Sequence, residues 1–332
     1  MATASIYDVL TTQWVRDAFL TGIDLTDDQG NPLSEETFAS ALQSAVATTE
    51  QQLDIVVDPI EIKEERKDLT DREKQAYFAY YLDKKPVTKV TRIQCKYGSQ
   101  QVADLPPVWA TLMDELNGYV HLIPQVEQLA QTLPVLVASL SMFRSDYVPG
   151  WFNFDYIAGF HVYTGTTTFK AATLSPSAPA ETSKSVAFAD GETFKQSSYF
   201  TTFELVNPNA EDADIEAAAR SRLNDGMTVK LSRAPLHDLT VQWYVTNIPD
   251  NLRRLVGIRA AKVPLAIAGN FVMGAGVMSR TVAIDGLNQS MGTTKSAAGG
   301  AYKGLIMQLE AEEAQILVAL KSALSSPRFM AI

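Results

Sequence analysis

Apolar residues recur at helical spacing early in the chain, at Phe38, Leu42, Val46 and Leu53. Ser34 precedes them, and two glutamates follow it directly. A serine N-cap satisfies a free backbone N–H of the first turn, and acidic side chains there face the positive end of the helix dipole. The spacing and the cap together predict an amphipathic helix that begins after Ser34.

A second helix start is marked by Thr70 and Glu73, which have the spacing of a capping box. In that motif the threonine hydroxyl and the glutamate carboxylate each satisfy one backbone N–H. The aromatic-rich stretch QAYFAYYL (75–82) follows. We expect this stretch to continue the helix.

Period-two alternation takes over from about residue 85. PVTKVTRIQC (86–95) is rich in β-branched residues, and LTVQWYVT (239–246) alternates apolar and polar residues, so both predict strands. DYVPGWFNFDYIAGF (146–160) could form an aromatic ligand platform, but its alternation favours a strand that is buried on both faces. We therefore expect strands and turns to fill the middle of the chain.

Helical patterns return near the end of the chain. NIPDNLRRLVGIRAAK (247–262) begins with an Asn cap and an early proline, which predicts a helix. After a stretch rich in Gly, Ser and Thr, a long helix is expected from about Ala301 to Leu324, and Glu313 interrupts its apolar stripe. The stripe consists of Tyr302, Leu305, Leu309, Ile316, Leu320 and Leu324.

These patterns predict an α+β fold. The N- and C-terminal helices are expected to form one helical core, and the β-rich middle is expected to project from it. The expected domains are an N-terminal helical part (1–84), a β-rich middle (85–246) and a C-terminal helical part (247–332). Within the middle, residues 161–246 are expected to form an insertion.

The bulk composition disfavours some functions. A chain of 332 residues exceeds the usual size of one compact core. Its net charge of −10 disfavours a protein that grips nucleic acid through phosphates, because such binding needs clustered Lys and Arg. The start of the chain lacks the pattern of a signal peptide. The apolar stretches Leu129–Phe143 and Val263–Met278 are too short to span a bilayer, so we expect both in the core.

Local motifs for catalysis or phosphate binding are weak. Cys95 is the only cysteine, which favours a reducing compartment, and its strand position favours a buried small hydrophobe over a nucleophile. GNFVMGAG (269–276) has the glycines of a phosphate-binding loop, but Ala275 and Gly276 stand where Lys and Ser or Thr are needed. Close helix packing or a bend is the favoured interpretation.

Metal binding has little support in the sequence. Asp24, Thr26, Asp28 and Glu35 fall at ligand positions of an EF-hand-like loop, but the glycine is displaced by one residue, so an acidic turn is favoured. The three histidines, at positions 121, 161 and 237, are far apart in the sequence. We therefore expect no metal ion, no cofactor and no catalytic residue, and the protein is expected to have a structural or interaction role.

Four segments carry a family resemblance. They are YYLDKKPVTKVTRI, NGYVHLIP, FNFDYIAGF and the stretch from Ile248 to Ile306, whose Ala-Gly-Asn, Gly-Ala-Gly and Ile-Asp-Gly-Leu elements are the most specific. In these segments the chain resembles the head-to-tail connector, or neck adaptor, proteins of tailed bacteriophages. The resemblance covers about half of the chain, chiefly residues 30–124, 147–160 and 247–325. Residues 161–246 have no counterpart in shorter members of the family.

The resemblance implies a virion structural protein of the head-tail neck, assembled in the cytoplasm of the bacterial host. Such proteins form a homo-oligomeric ring, usually of twelve copies, beneath the portal protein, and they extend the DNA channel towards a downstream neck or tail terminator protein. The DNA passes without sequence-specific binding, and no membrane is involved. The alternatives are another virion subunit, in the tail or baseplate, and an enzyme of unknown chemistry.

The small polar residues before the last helix are the expected assembly interface. A polar segment that contains glycine can stay mobile in a free subunit and become ordered on assembly. An ordinary surface loop is the alternative. The expected interface residues, in a loop or an extended arm, are Asp285, Gly286, Gln289, Ser290, Thr293 and Thr294.

Overall fold

The chain divides into two compact units in the computed structural model. The first, here called the β unit, consists of Met1–Val9 and Asp54–Ile248, and the second, the helical unit, consists of Leu10–Leu53 and Pro249–Ile332. The structure describes residues 5–26, 30–76, 78–123, 147–171, 182–186, 200–206, 208–221, 227–273, 279–284, 287–292 and 302–325.

Most of the strands lie between the first two helices of the chain and the last two. In chain order they are α1 (Thr12–Phe19), α2 (Glu35–Leu53), β1 (Ile60–Thr70), α3 (Asp71–Gln75), β2 (Ala79–Tyr81), β3 (Val87–Tyr97), β4 (Gln100–Leu105), β5 (Ala110–Asp114), β6 (Tyr119–Leu122), β7 (Tyr147–Ala158), β8 (Val162–Phe169), β9 (Ser183–Val186), β10 (Phe200–Val206), β11 (Ala217–Ser221), β12 (Met227–Leu231), β13 (Leu239–Thr246), α4 (Asp250–Met273), β14 (Ser279–Ile284), β15 (Leu287–Gly292) and α5 (Lys303–Ser325).

The predicted fold class, an α+β molecule built on a core of N- and C-terminal helices, is wrong. Antiparallel sheets predominate in the described residues, and only five α-helices accompany them there. The first 84 residues, expected to be helical, also contain β1 and β2. A core cluster of eighteen buried residues lies among the sheets of the β unit, so sheet packing organises much of the described chain.

The capping-box spacing at Thr70 predicts a longer helix than the structure contains. Helix α3 does begin after Thr70, but it ends at Gln75, and the Thr70 hydroxyl donates a hydrogen bond to the Glu73 carboxylate. The aromatic stretch beyond it forms β2, where Tyr80 is buried and pairs with Val120 of β6. Burial of Tyr80 between strands outweighs the helical continuation, since tertiary packing overrides local propensity.

Strand β7 is the centre of the β unit. It pairs with β1 on one side and β3 on the other, in the sheet order β1-β7-β3-β4. Trp151 and Phe152 are consecutive and both fully buried, as are Phe154 and Tyr156 further along. Successive side chains of a strand point to opposite faces. The expectation of a strand buried on both faces, and not an aromatic ligand platform, is confirmed.

The region from 161 to 246 contains two three-stranded sheets around a separate core. The sheet orders are β10-β13-β8 and β11-β12-β9. The predicted strand at residues 239–246 is confirmed as β13, with Val241 and Trp243 buried and Gln242 on the opposite, partly exposed face. Phe169 and Met227 complete the centre of this core. Alternate residues of β12 and β13 are buried, as the alternation of apolar and polar residues in the sequence predicts.

Cys95 lies on β3 and is fully buried, so its expected role as a small core residue is confirmed. Burial raises the pKa of its thiol to about 12. We predict that a thiol reagent will not label the native protein at neutral pH. The side chain is buried, and at that pH only a very small fraction of the thiol is in the reactive thiolate form. Labelling in denaturant should reach one thiol per chain. Full labelling of the native protein would contradict the position of Cys95.

The helical unit is arranged around α4. This helix is buried on almost every side, because α1, α2 and α5 all pack against it. It runs through Pro264 to Met273, further than the pattern ending at Lys262 predicted. Helix α2 begins as predicted, with the backbone N–H of Thr37 donating to the Ser34 hydroxyl at 3.3 Å. None of the helices that the structure describes combines the length and the hydropathy needed to cross a membrane.

Candidate assembly interface

The structure describes only two of the six expected interface residues. Gln289 and Ser290 lie in β15, where they pair with Val282 and Thr281 of β14. The other four, Asp285, Gly286, Thr293 and Thr294, lie outside the described residues, as do the apolar run Leu129–Phe143 and the end of GNFVMGAG. The two described residues belong to a β-hairpin and not to a loop.

The hairpin is regular. Its register runs from Ser279 opposite Gly292 to Ile284 opposite Leu287, without a bulge. The described part of this segment is therefore a hairpin, and its role as an assembly interface stays a prediction. One signal in the sequence could have predicted the hairpin, because Asp-Gly, which stands between the two strands, is a preferred dipeptide for two-residue hairpin connections.

Helix α5 has two apolar faces. The inner face packs towards α4 and buries Leu309, Ile316 and Leu320. On the outer face Met307 is 58% exposed and Val318 is 72% exposed. The outer face follows the spacing i, i+4, i+7, i+11, and we call it the outer stripe: Met307, Ala311, Ala314 and Val318, all exposed.

The outer stripe has the pattern of a helix–helix contact surface. Residues three and four apart lie on the same side of a helix, and small alanines in the middle of such a row allow a second helix to approach closely. Sequence reasoning missed this stripe, because it recorded only the inner apolar face. The signal was present in the sequence as a second row of apolar positions along the same helix.

A buried polar cluster joins three helices of the helical unit. Arg259 of α4 donates from Nε to Glu313 Oε1 at 2.7 Å and from Nη1 to the Thr49 hydroxyl of α2 at 2.9 Å. The Arg259 guanidinium also bonds to Gln52, and Lys262 lies 2.5 Å from the second oxygen of Glu313. Glu313, which interrupts the apolar stripe in the sequence, is thus the carboxylate that pairs with two cations of α4.

The electrostatics of this cluster favour the ionised form of Glu313. Burial alone would raise the pKa of its carboxyl, but the bonds from Lys262 and Arg259 outweigh burial and lower that pKa. Because Arg259 and Lys262 of α4 both bond to Glu313 of α5, these bonds favour one position of α4 along α5. We assign this cluster a structural role.

The candidate chemical groups are engaged in local structure. The His121 ring lies 2.7 Å from the Tyr119 hydroxyl, and burial lowers the pKa of His121. The His237 ring lies 3.3 Å from the buried Asp212 carboxylate, which also accepts the backbone N–H of His237. In the described ranges, no three side chains of His, Cys, Asp or Glu come together in a way that could hold a metal ion.

The acidic turn near the start also serves local structure. The Asp24 carboxylate accepts hydrogen bonds from the backbone N–H and the hydroxyl of Thr26, and Glu35 pairs with Arg16 at 2.6 Å. These are the bonds of an Asx-type turn leading to a helix, which favours the turn interpretation of the EF-hand-like stretch. Asp28 lies outside the described residues.

Neither a protein-family model nor a curated protein matches this chain.

Proposed function

We propose that this protein is a structural subunit of a tailed-phage virion, a head-to-tail adaptor that forms a ring beneath the portal. The observation that carries the proposal is the outer stripe of α5, a second apolar face on a helix whose inner face is already buried. The resemblance of the sequence to neck adaptors supplies the identity of the assembly. The ring joins the portal to the next neck or tail terminator protein in the virion neck.

The two faces of α5 fit a ring subunit. In a closed ring each subunit uses two different surfaces, one for each neighbour, so a helix can serve the subunit core on one side and a neighbour on the other. Burial of Met307 and Val318 against a neighbour would remove apolar side chains from water, which favours association. The contact is homo-oligomeric, and twelve copies would match the usual symmetry of the portal.

The charge of the chain fits a passive DNA channel. With a net charge of −10, the subunit as a whole repels phosphates, so DNA would slide past it and not bind. Neither this argument nor the stripe requires catalysis, a cofactor or a membrane. The protein is proposed to act by surface complementarity alone.

Native mass spectrometry of the protein, alone and mixed with the portal of the same virus, tests the proposal. The expected result is a complex that carries one copy of this chain for each portal chain. Binding to tail tubes and not to portals would replace the adaptor with a tail or baseplate subunit. A folded chain that binds neither, and turns over a substrate, would support the enzyme alternative.

Substitution of Val318 by aspartate tests the outer stripe directly. Because the side chain is 72% exposed, V318D should leave the subunit folded. It should weaken each subunit contact by at least about 1 kcal/mol, since a charge would be buried in an apolar contact. The matched control is L236D, which changes an apolar side chain of the β unit that is 53% exposed. If V318D and wild type assemble equally well on the portal, the outer stripe is not part of the interface.

A further inference from the structure

We draw no further inference here: the strongest candidate, the row of aromatic side chains Tyr81, Tyr119 and His121 on the outer face of the β2-β6-β5 sheet, is a sheet face, and nothing in the described part of the chain shows what covers it.

Discussion

Replacement of Arg259 by methionine is expected to destabilise the helical unit by about 1–3 kcal/mol, because it removes the donor that Glu313 Oε1 and two polar groups of α2 share in a buried position. The side chains of Arg259 and Glu313 are 7% and 15% exposed. The variant would also leave Thr49 and Gln52 without their guanidinium partner. The measurement is denaturant unfolding of the full chain, followed by the helical signal in circular dichroism.

The control for this prediction is Arg254→Met. Arg254 also pairs α4 with a carboxylate of α5, that of Glu312, but the Arg254 side chain is 56% exposed. Exposed ion pairs contribute about 0–1 kcal/mol, so the control should unfold close to wild type. Similar unfolding of the Arg259 and Arg254 variants would show that the buried cluster does not hold the helices together.

The same cluster has an expected pH dependence. The pKa of Glu313 is lowered in the folded protein from an ordinary value of 4.5. Its contribution to stability is therefore fully present above pH 4.5 and is lost as the pH falls through the folded pKa. The difference in unfolding free energy between wild type and Glu313→Gln should shrink as the pH is lowered through this window. A difference that grows on acidification would contradict the sign of the shift.

Replacement of Gly257 by alanine is expected to destabilise the helical unit by about 1–3 kcal/mol, the cost of overpacking a core. A Cβ at this position would collide with Phe19 Cε2 and would lie 2.8 Å from Trp14 Cη2. These two rings pack edge to face, with centroids 5.6 Å apart, so neither can move away without disturbing the other. The effect is measured by the midpoint of denaturant unfolding.

The direction of the change in stability distinguishes a tightly packed glycine from an exposed one. In the middle of an exposed helix, glycine to alanine normally stabilises by about 1 kcal/mol. The control is Gly304→Ala at the start of α5, where a Cβ would meet no atom within 4 Å. We expect G304A to stabilise slightly and G257A to destabilise. Stabilisation by both would mean that α1 does not pack closely on α4.

Several elements could be predicted from the sequence because a local signal specified them. The cap at Ser34 marks the start of α2, the alternation of residues 239–246 marks β13, and the apolar rows of the last helix mark α5. In each case the residues that decide the structure lie within one or two turns, or one strand, of each other. Burial of Cys95 followed from the same local pattern.

Other features depended on partners far away in the chain. The stretch QAYFAYYL has a helix start before it, yet Tyr80 pairs with Val120 forty residues later. Glu313 interrupts an apolar row, and only the position of Arg259 on α4 turns that interruption into an ion pair.

The sequence by itself determined the periodicity of the elements, the burial of the aromatic strand β7, and the family resemblance on which the proposed function depends. Only the tertiary structure decided that sheets predominate in the described residues and which face of α5 stays exposed. The physical reason is that periodicity and capping are local free energies, whereas strand pairing and burial depend on contacts between distant segments.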